Sequence, residues 1–231
     1  MSFTGTDGQE HTEFLDRCWM QPFESLKPVR PLSPAHGRRG FVGLWWFATT
    51  GDHVGYQSWR ERDHVMGWDF DLEVVRLASR PLRFAWQSER GVLTHTPAFF
   101  ARLHDGTAMV ADVLPGRAVD DEDATAPGVV EQACAAVGWG FRRVAGMSEA
   151  RTANLRWLSG YRHPRCLHPA RAADLVRVFA GGAELMEGVR RVGDPIAVLP
   201  TVFHLLWRQV LRTDLDAAPL GAGSLVRGGG E

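Results

Sequence analysis

Lysine is almost absent from this chain. Lys27, in a proline-rich stretch, is the one lysine among 26 basic residues, and the other 25 are arginine. A mechanism that needs a lysine in the folded body of the protein is therefore excluded. Cysteine is also scarce: Cys18, Cys134 and Cys166 are odd in number and far apart. Their spacing argues against a disulfide framework and favours a reducing, cytoplasmic setting.

Long apolar runs are missing as well. No run approaches the roughly 18 residues of a membrane-spanning helix, so no membrane partner is expected. The polar, acidic stretch 1–16 predicts neither a signal peptide nor a transit peptide. The formal net charge of −1 argues against a polycation that coats nucleic acid through bulk charge. With 231 residues, 45% of them hydrophobic, the chain is long enough for one large domain or two small ones.

The order of the sequence patterns predicts an α/β protein with two domains. Prolines among polar residues predict an extended N-terminal arm over residues 1–40. Residues 41–152 show a helix, several strands including a hairpin, a second helix and a returning strand, which predict a sheet with helices packed on it. Residues 153–227 predict three helices and a small hairpin, the outline of a winged helix, and 228–231 predict a disordered tail.

Three local signals define these elements more closely. Ser58 predicts the N-cap of a short helix that Gly67 ends. The pair Asp105-Gly106 predicts a hairpin turn between two strands, 97–103 and 108–114. In the second domain, Pro200 at a first-turn position predicts the start of the third helix.

Glu61 has two interpretations. A carboxylate on a short helix beside a sheet is suited to hold a divalent metal ion. However, Ser58-Trp59-Arg60-Glu61 also fits a capping box, in which the glutamate bonds back to the N-cap amide. Periodicity alone favours the cap.

The hairpin strands carry a second candidate. Residues two apart on a strand face the same side, so Asp112 and Leu114 project together. Nucleases of the PD-(D/E)xK pattern use this geometry, with an aspartate on one strand and an acid and a lysine on the next, to bind Mg²⁺ and activate water. Pro97 and Asp112 match the pattern, but Ala98 stands at the aspartate position and Leu114 at the basic position. Taken alone, one acid on a strand is most often solvated.

Arginines are concentrated in the last third of the chain, where Trp157 and Tyr161 are interleaved with them. Such a stretch is suited to contact phosphates, and a solvated helix face in an arginine-rich protein explains it equally well. The DNA-contacting candidates are Arg156, Arg162, Arg165 and Arg208. His163, Cys166 and His168 offer three zinc ligands, but the second pair that a structural zinc site needs is missing.

Taken together, these stretches resemble the TnsA-like endonuclease subunits of heteromeric transposases, notably the actinobacterial branch, over about residues 40–212. Several motifs in order make the resemblance more specific than any one of them. The main ones are GLWW (43–46), HVGYQSWRERD (53–63), WDFD (68–71), RPL (80–82), HTP (95–97), FFAR (99–102), DG (105–106), DV (112–113), NLRWL (154–158), GYRHPR (160–165) and HLLWR (204–208).

The resemblance implies a restriction-endonuclease-like domain, with a mixed sheet flanked by helices, that nicks double-stranded DNA at transposon ends with Mg²⁺. It also implies a winged-helix-like C-terminal domain, and as partners an integrase-type transposase and an ATPase regulator. In that picture Glu61 and Asp112 are the catalytic and metal-binding acids. The family pattern expects an aspartate at position 98 and a lysine or arginine at 114, and this chain departs at both.

These departures predict a subunit with weakened or lost cleavage. Two carboxylates bind Mg²⁺ weakly at best, and Leu114 supplies no cation. Removing groups that act together lowers catalytic rates by several orders of magnitude. Two alternatives stay open: an active endonuclease with a rearranged site that borrows Arg102 or Arg117, and a non-catalytic DNA-binding or adaptor protein.

Overall fold

The computed structural model describes residues 1–32, 41–89, 91–114 and 125–229 as a mixed α/β protein. The chain divides into two compact units, Met1–Gly146 and Met147–Glu231, so the boundary falls before the predicted position after residue 152. Over these described stretches, no helix has both the length and the apolar character that crossing a bilayer would require.

The first unit contains three sheets, ordered β10-β9-β8-β5, β2-β1-β6-β7 and β3-β4 among the described residues. Its elements are β1 (Ser2–Thr4), β2 (Glu10–Thr12), α1 (Leu15–Cys18), β3 (Gly43–Phe47), β4 (Asp52–Tyr56), α2 (Trp59–Phe70), β5 (Val74–Ser79), β6 (Leu82–Ser88), β7 (Gly91–His95), β8 (Phe99–Leu103), β9 (Ala108–Val113), α3 (Thr125–Ala136) and β10 (Gly140–Val144).

The sheet β10-β9-β8-β5 is mixed: β5, β8 and β9 are antiparallel neighbours, and β10 runs parallel to β9. The hairpin predicted between β8 and β9 is present. Its turn works because Gly106 has a φ of 85° and the Asp105 carboxylate accepts the Thr107 N–H at 2.9 Å. Phe99, Phe100 and Val110 are fully buried, as expected for strands covered on both faces.

Helix α2 begins as predicted, with the Ser58 side chain accepting the Glu61 N–H, but it continues through Gly67 to Phe70. The extra turn carries Asp69, whose buried carboxylate accepts the Trp45 indole N–H at 2.9 Å and the Thr49 N–H at 3.1 Å. Burial raises the pKa of Asp69. These bonds to the β3–β4 hairpin hold the last turn in place, so a glycine alone does not end the helix.

Residues 1–32 do not form the predicted arm outside the core. Strand β1 pairs with β6, and Phe3 and Phe23 belong to the main core cluster. The Phe23 ring lies 5.3 Å from the Phe3 ring, 5.5 Å from that of Phe100 and 5.6 Å from that of Trp139. The prolines bend this segment without detaching it. Residues 33–40 of the predicted arm lie outside the described residues.

The second unit contains four helices and a three-stranded antiparallel sheet of order β11-β13-β12 among its described residues. Its elements are α4 (Glu149–Ser159), α5 (Pro169–Phe179), β11 (Ala183–Glu184), α6 (Leu185–Val192), α7 (Pro195–Trp207), β12 (Leu211–Arg212) and β13 (Leu225–Gly228).

Two details of this unit differ from the sequence prediction. Helix α7 begins at Pro195 with Asp194 as its N-cap, so Pro200 lies inside the helix instead of opening it. The predicted tail is ordered at Gly228, which belongs to β13, and at Gly229, whose N–H donates to the Val210 carbonyl at 2.8 Å. Residues 230 and 231 lie outside the described part of the chain.

Helices α5 and α6 meet where Gly188 faces the fully buried Phe179 ring. A Cβ at Gly188 would lie 2.2 Å from the Phe179 Cζ, so Gly188→Ala is expected to destabilise the protein by about 1–3 kcal/mol. Denaturant unfolding measures the effect. Gly181→Ala is the matched control, because a Cβ there meets nothing within 4 Å. Equal stability of the two variants would contradict this packing.

Buried His64 makes stability depend on pH. Its Nε2 donates to the Ala145 carbonyl at 2.5 Å, and burial lowers the pKa of His64 below the ordinary 6.5. The unfolded chain therefore takes up a proton first as the pH falls below 6.5. This proton uptake is expected to lower the unfolding free energy by up to about 1.4 kcal/mol per pH unit. Unfolding between pH 7.5 and 5 measures the slope, and an identical slope in His64→Gln would contradict the assignment.

Candidate functional site

Glu61 lies in the first turn of α2 with its carboxylate buried. Its Oε1 accepts from Arg80 Nη2 at 2.5 Å, and its Oε2 accepts the Gln57 N–H at 2.7 Å. The N-cap half of the predicted capping box is present, but the glutamate bonds to Gln57 instead of the Ser58 amide. Glu61 is therefore both a helix-capping residue and one half of a buried ion pair.

Arg80 connects β5 to β6 and is only 4% exposed. Its φ of 50° lies in the left-handed region, which costs backbone energy for any residue except glycine. The main chain is fixed on both sides: its N–H donates to the Ala98 carbonyl at 3.1 Å, and its carbonyl accepts from Val29 at 2.9 Å. The guanidinium also donates to Ser79 Oγ at 3.0 Å, whereas its buried Nε has no partner among the described residues.

Ala98 and Asp112 complete the connection. The Ala98 N–H donates to Asp112 Oδ1 at 3.3 Å, and Asp112 Oδ2 lies 2.8 Å from His95 Nε2. Glu61, Arg80, Ala98, Asp112 and His95 thus form one hydrogen-bonded series, called here the Glu61–Asp112 cluster. Three of the four positions that the nuclease pattern singles out belong to this series, in which Arg80 and Ala98 link Glu61 to Asp112.

The fourth position, Leu114, follows β9 and is half-buried, with its N–H donating to the Val144 carbonyl at 2.9 Å. Its aliphatic side chain brings neither charge nor proton. Arg102, one of the two possible substitutes, is already paired with Glu24 at 3.0 Å and donates to the Gly106 carbonyl. Arg117, the other substitute, lies outside the described residues.

The residues present do not fit a Mg²⁺ ion. Both oxygens of Glu61 and both of Asp112 already have partners, and the charged partners are Arg80 and, when protonated, His95. A divalent cation beside Glu61 would face the like charge of a guanidinium. Nowhere in the described parts of the chain do three His, Cys, Asp or Glu side chains form a metal-binding group. Hydrogen-bond donors of the protein, one of them the Arg80 guanidinium, thus occupy the carboxylate oxygens that a metal would need.

The surroundings of Glu61 are strongly basic. Arg83, on β6, places its Nε 3.4 Å from Thr96 Oγ1. Arg30 is exposed, and its partial burial is the first cause of its lowered pKa. The positive charges of Arg80 and Arg83 lower this pKa further, while the negative charge of Glu61 raises it. Arg30 therefore lies within electrostatic reach of two other guanidinium groups and of one carboxylate.

A cavity of about 400 Å³ lies between β4 and β5 in the same unit. Its lining includes Thr50, His53, Arg76 and Ser79, and neither Glu61 nor Asp112 contributes to it. Ser79 connects the two regions, because its Oγ accepts the bond from Arg80. The lining is largely polar, and it does not include the predicted nuclease positions.

In the second unit, two of the predicted DNA-contacting arginines, Arg156 and Arg162, directly adjoin Trp157 and Tyr161 in the sequence, and these two rings belong to an aromatic cluster. The Trp157 ring, which is exposed, lies 5.8 Å from the Phe203 ring, and the Tyr161 ring lies 4.8 Å from Phe203. Arg156 and Arg165 are exposed, Arg162 donates to the Ser159 carbonyl at 2.5 Å, and Arg208 follows α7. Burial is the main cause of the lowered pKa of His204, and the positive charges of Arg208 and His163 lower it further. A hydrogen bond to the Tyr161 carbonyl acts in the opposite direction.

The histidines that the sequence offers as zinc ligands cap helices instead. His163 Nδ1 accepts the Arg165 N–H, and His168 Nδ1 accepts the Arg171 N–H. Compared with models of known protein families, the chain matches none, and no curated protein matches it.

Proposed function

We propose that this chain is a TnsA-like subunit of a heteromeric DNA transposase that keeps the nuclease architecture and binds DNA without cutting it. Such a subunit would act in the cytoplasm beside an integrase-type transposase and an ATPase regulator. The observation that carries the proposal is the hydrogen-bonded connection of Glu61, Ala98 and Asp112, three residues far apart in sequence.

The order of elements supports a restriction-endonuclease-like core. Helix α2 is followed by the meander β5, β8 and β9, then by α3 and a parallel β10, with β6 and β7 inserted. Residue 61 lies on α2, residue 98 just before β8 and residue 112 on β9, and this arrangement supports comparing them with the helix and hairpin acids of the nuclease pattern. Fold alone does not carry activity, so the side chains decide the chemistry.

Those side chains support a non-cleaving form. In a metal-dependent nuclease the acids must be free to hold a divalent ion. Here Glu61 is neutralised by Arg80, Asp112 is engaged by His95 and Ala98, and the basic position is Leu114. Mg²⁺ is accordingly not part of the proposed mechanism.

The second unit supports a winged-helix-like domain, because α5, β11, α6, α7, β12 and β13 follow one another with sheet order β11-β13-β12. Helix α7, the third helix of that winged-helix-like order, does not suit the reading of a DNA groove. It carries no arginine or lysine, and residues 201–207 are all buried. The exposed arginines on α4 and after it are better placed to contact phosphates, which gives affinity without sequence readout.

A cleavage assay tests the central claim. The natural substrate is DNA carrying the ends of a mobile element, taken from beside the gene together with any neighbouring transposase and ATPase. With Mg²⁺ or Mn²⁺, the purified chain and the assembled proteins containing it are expected to show no nicking attributable to this subunit. Robust nicking that disappears in Glu61→Ala would overturn the proposal and favour a rearranged active site.

DNA binding is a separate expectation. Replacing Arg156 or Arg165 by glutamine is expected to lower affinity about equally for all sequences. The slope of log K against log salt is expected to become shallower by about 1 for each phosphate that the arginine no longer neutralises. Arg177→Gln, an exposed change on α5 outside the predicted set, is the control. No binding even at low salt would point to an adaptor that contacts only protein partners.

A further inference from the structure

The Glu61 end of the Glu61–Asp112 cluster carries more positive than negative charge. The positive charges of Arg80 and Arg83 both act on Arg30 and lower its pKa, and within the described residues Glu61 is the one acid that acts on Arg30 with the opposite sign. Three cations and one anion leave two net positive charges at this place. The nearest other acid in the series, Asp112, lies against His95.

Besides its charge, Arg80 has one hydrogen-bond donor without an acceptor in the part of the chain that the structure describes. Arg80 is 4% exposed, its two terminal nitrogens donate to Glu61 and Ser79, and its Nε has no partner among the described residues. A buried guanidinium nitrogen without an acceptor is unfavourable, because its desolvation is not compensated. Arg83 has Thr96 Oγ1 beside it at a long 3.4 Å, which leaves its terminal nitrogens available.

The backbone keeps these groups together. The Val29 N–H donates to the Arg80 carbonyl at 2.9 Å, which holds the residue next to Arg30 against the β5–β6 connection. Arg83 lies on β6 three positions after Arg80, and strand β1 pairs with it through Ser2. The arginines are thus presented by a fixed framework, as a binding site requires.

We infer that Arg30, Arg80 and Arg83 bind one phosphate group, so that the place of a nuclease metal has become an anion site. This inference rests on the proposed function for the identity of its biological ligand. Guanidinium groups match the oxygens of phosphate, and two net positive charges match a terminal phosphomonoester, which carries about −1.5 to −2 at neutral pH. A phosphate at the end of a broken DNA strand is therefore the favoured ligand, and an internal phosphodiester shares the same chemistry.

Inorganic phosphate tests the site without DNA or partner proteins. Titration calorimetry on the full chain, at constant ionic strength set with chloride, is expected to detect binding. Arg30→Gln and Arg83→Gln are each expected to weaken it about tenfold or more, because each removes a charge-assisted donor. Arg177→Gln removes one exposed arginine elsewhere and is expected to leave phosphate affinity unchanged. Both test arginines are partly or largely exposed, so folding is expected to survive their replacement.

Two duplexes of one sequence, with and without a 5′ phosphate, separate the sources of the phosphate. Tighter binding of the phosphorylated duplex, lost in Arg83→Gln, supports a strand end. Equal binding that still depends on Arg30 and Arg83 supports an internal phosphodiester at the same site. Absence of phosphate binding, or binding that neither variant weakens, would overturn the inference while leaving the non-cleaving subunit intact. Metal-dependent cleavage would overturn the proposed function and leave the phosphate measurement standing.

Discussion

Replacing Phe23 by alanine is expected to lower the free energy of unfolding by about 3–5 kcal/mol, one of the two largest effects predicted for a single change in this protein. Phe23 is fully buried and contacts three aromatic rings, those of Phe3, Phe100 and Trp139. Alanine would remove the transfer free energy of the ring and leave a cavity that the surrounding aromatic side chains cannot fill.

Urea unfolding followed by tryptophan fluorescence measures this effect, since Trp139 lies in the same cluster. Phe14→Ala is the matched control: Phe14 is in the same N-terminal segment but is 72% exposed, and its loss is expected to change stability by no more than about 0.5 kcal/mol. If both variants unfolded at the same urea concentration, the N-terminal segment would be an arm outside the core after all.

The N-terminal segment shows where composition is a poor guide to burial. Prolines and polar residues at 1–32 predict exposure, and most positions there are indeed exposed or half-buried. The segment is fixed by a few apolar residues, Phe3, Cys18, Phe23 and Leu26, which fill gaps left by other elements. Isolated apolar residues without period 2 or 3.6 carry no local signal, because the shape they complete is formed by distant parts of the chain.

Local signals succeed where one short stretch decides the structure. The Asp105-Gly106 pair predicts its hairpin because both its left-handed glycine and its aspartate bond are formed within four residues. The Ser58 cap is confirmed for the same reason. The predicted helix end at Gly67 is wrong because bonds from Asp69 to Trp45 and Thr49, 24 and 20 residues away in sequence, outweigh the preference of glycine to end a helix.

The candidate site is half predictable in the same sense. The family resemblance singles out Glu61 and Asp112, and the absence of an acid at 98 is visible in the sequence. Their partners do not follow from it, since Arg80 lies 19 residues from Glu61 and His95 lies 17 residues from Asp112. No spacing rule connects such pairs. Arg80, which precedes a proline, and His95, at the end of β7, can be recognised as partners of the carboxylates only in the folded structure.

The second large effect is expected for Arg80→Ala, which should lower the free energy of unfolding by about 3–5 kcal/mol. The cost arises because Glu61 would remain buried with its charge uncompensated, while only the Gln57 N–H still donates to it. Arg76→Ala, an exposed change on the neighbouring strand β5, is the control and is expected to cost no more than about 0.5 kcal/mol.

A double-mutant cycle separates the ion pair from the packing of the arginine. Glu61→Gln removes the charge that Arg80 neutralises, so Arg80→Met combined with Glu61→Gln is expected to be more stable than the sum of the single losses predicts, by about 1–3 kcal/mol. Additive losses would show that Arg80 acts through its aliphatic stem or its left-handed backbone and not through Glu61.

The same cycle also tests whether a metal ion could reach Glu61. If the pair is strongly coupled, a metal ion can reach Glu61 only by displacing Arg80 from a partner it holds at 2.5 Å. Strong coupling would therefore mean that the fold itself keeps a metal ion away from Glu61, in addition to the lack of an acid at position 98.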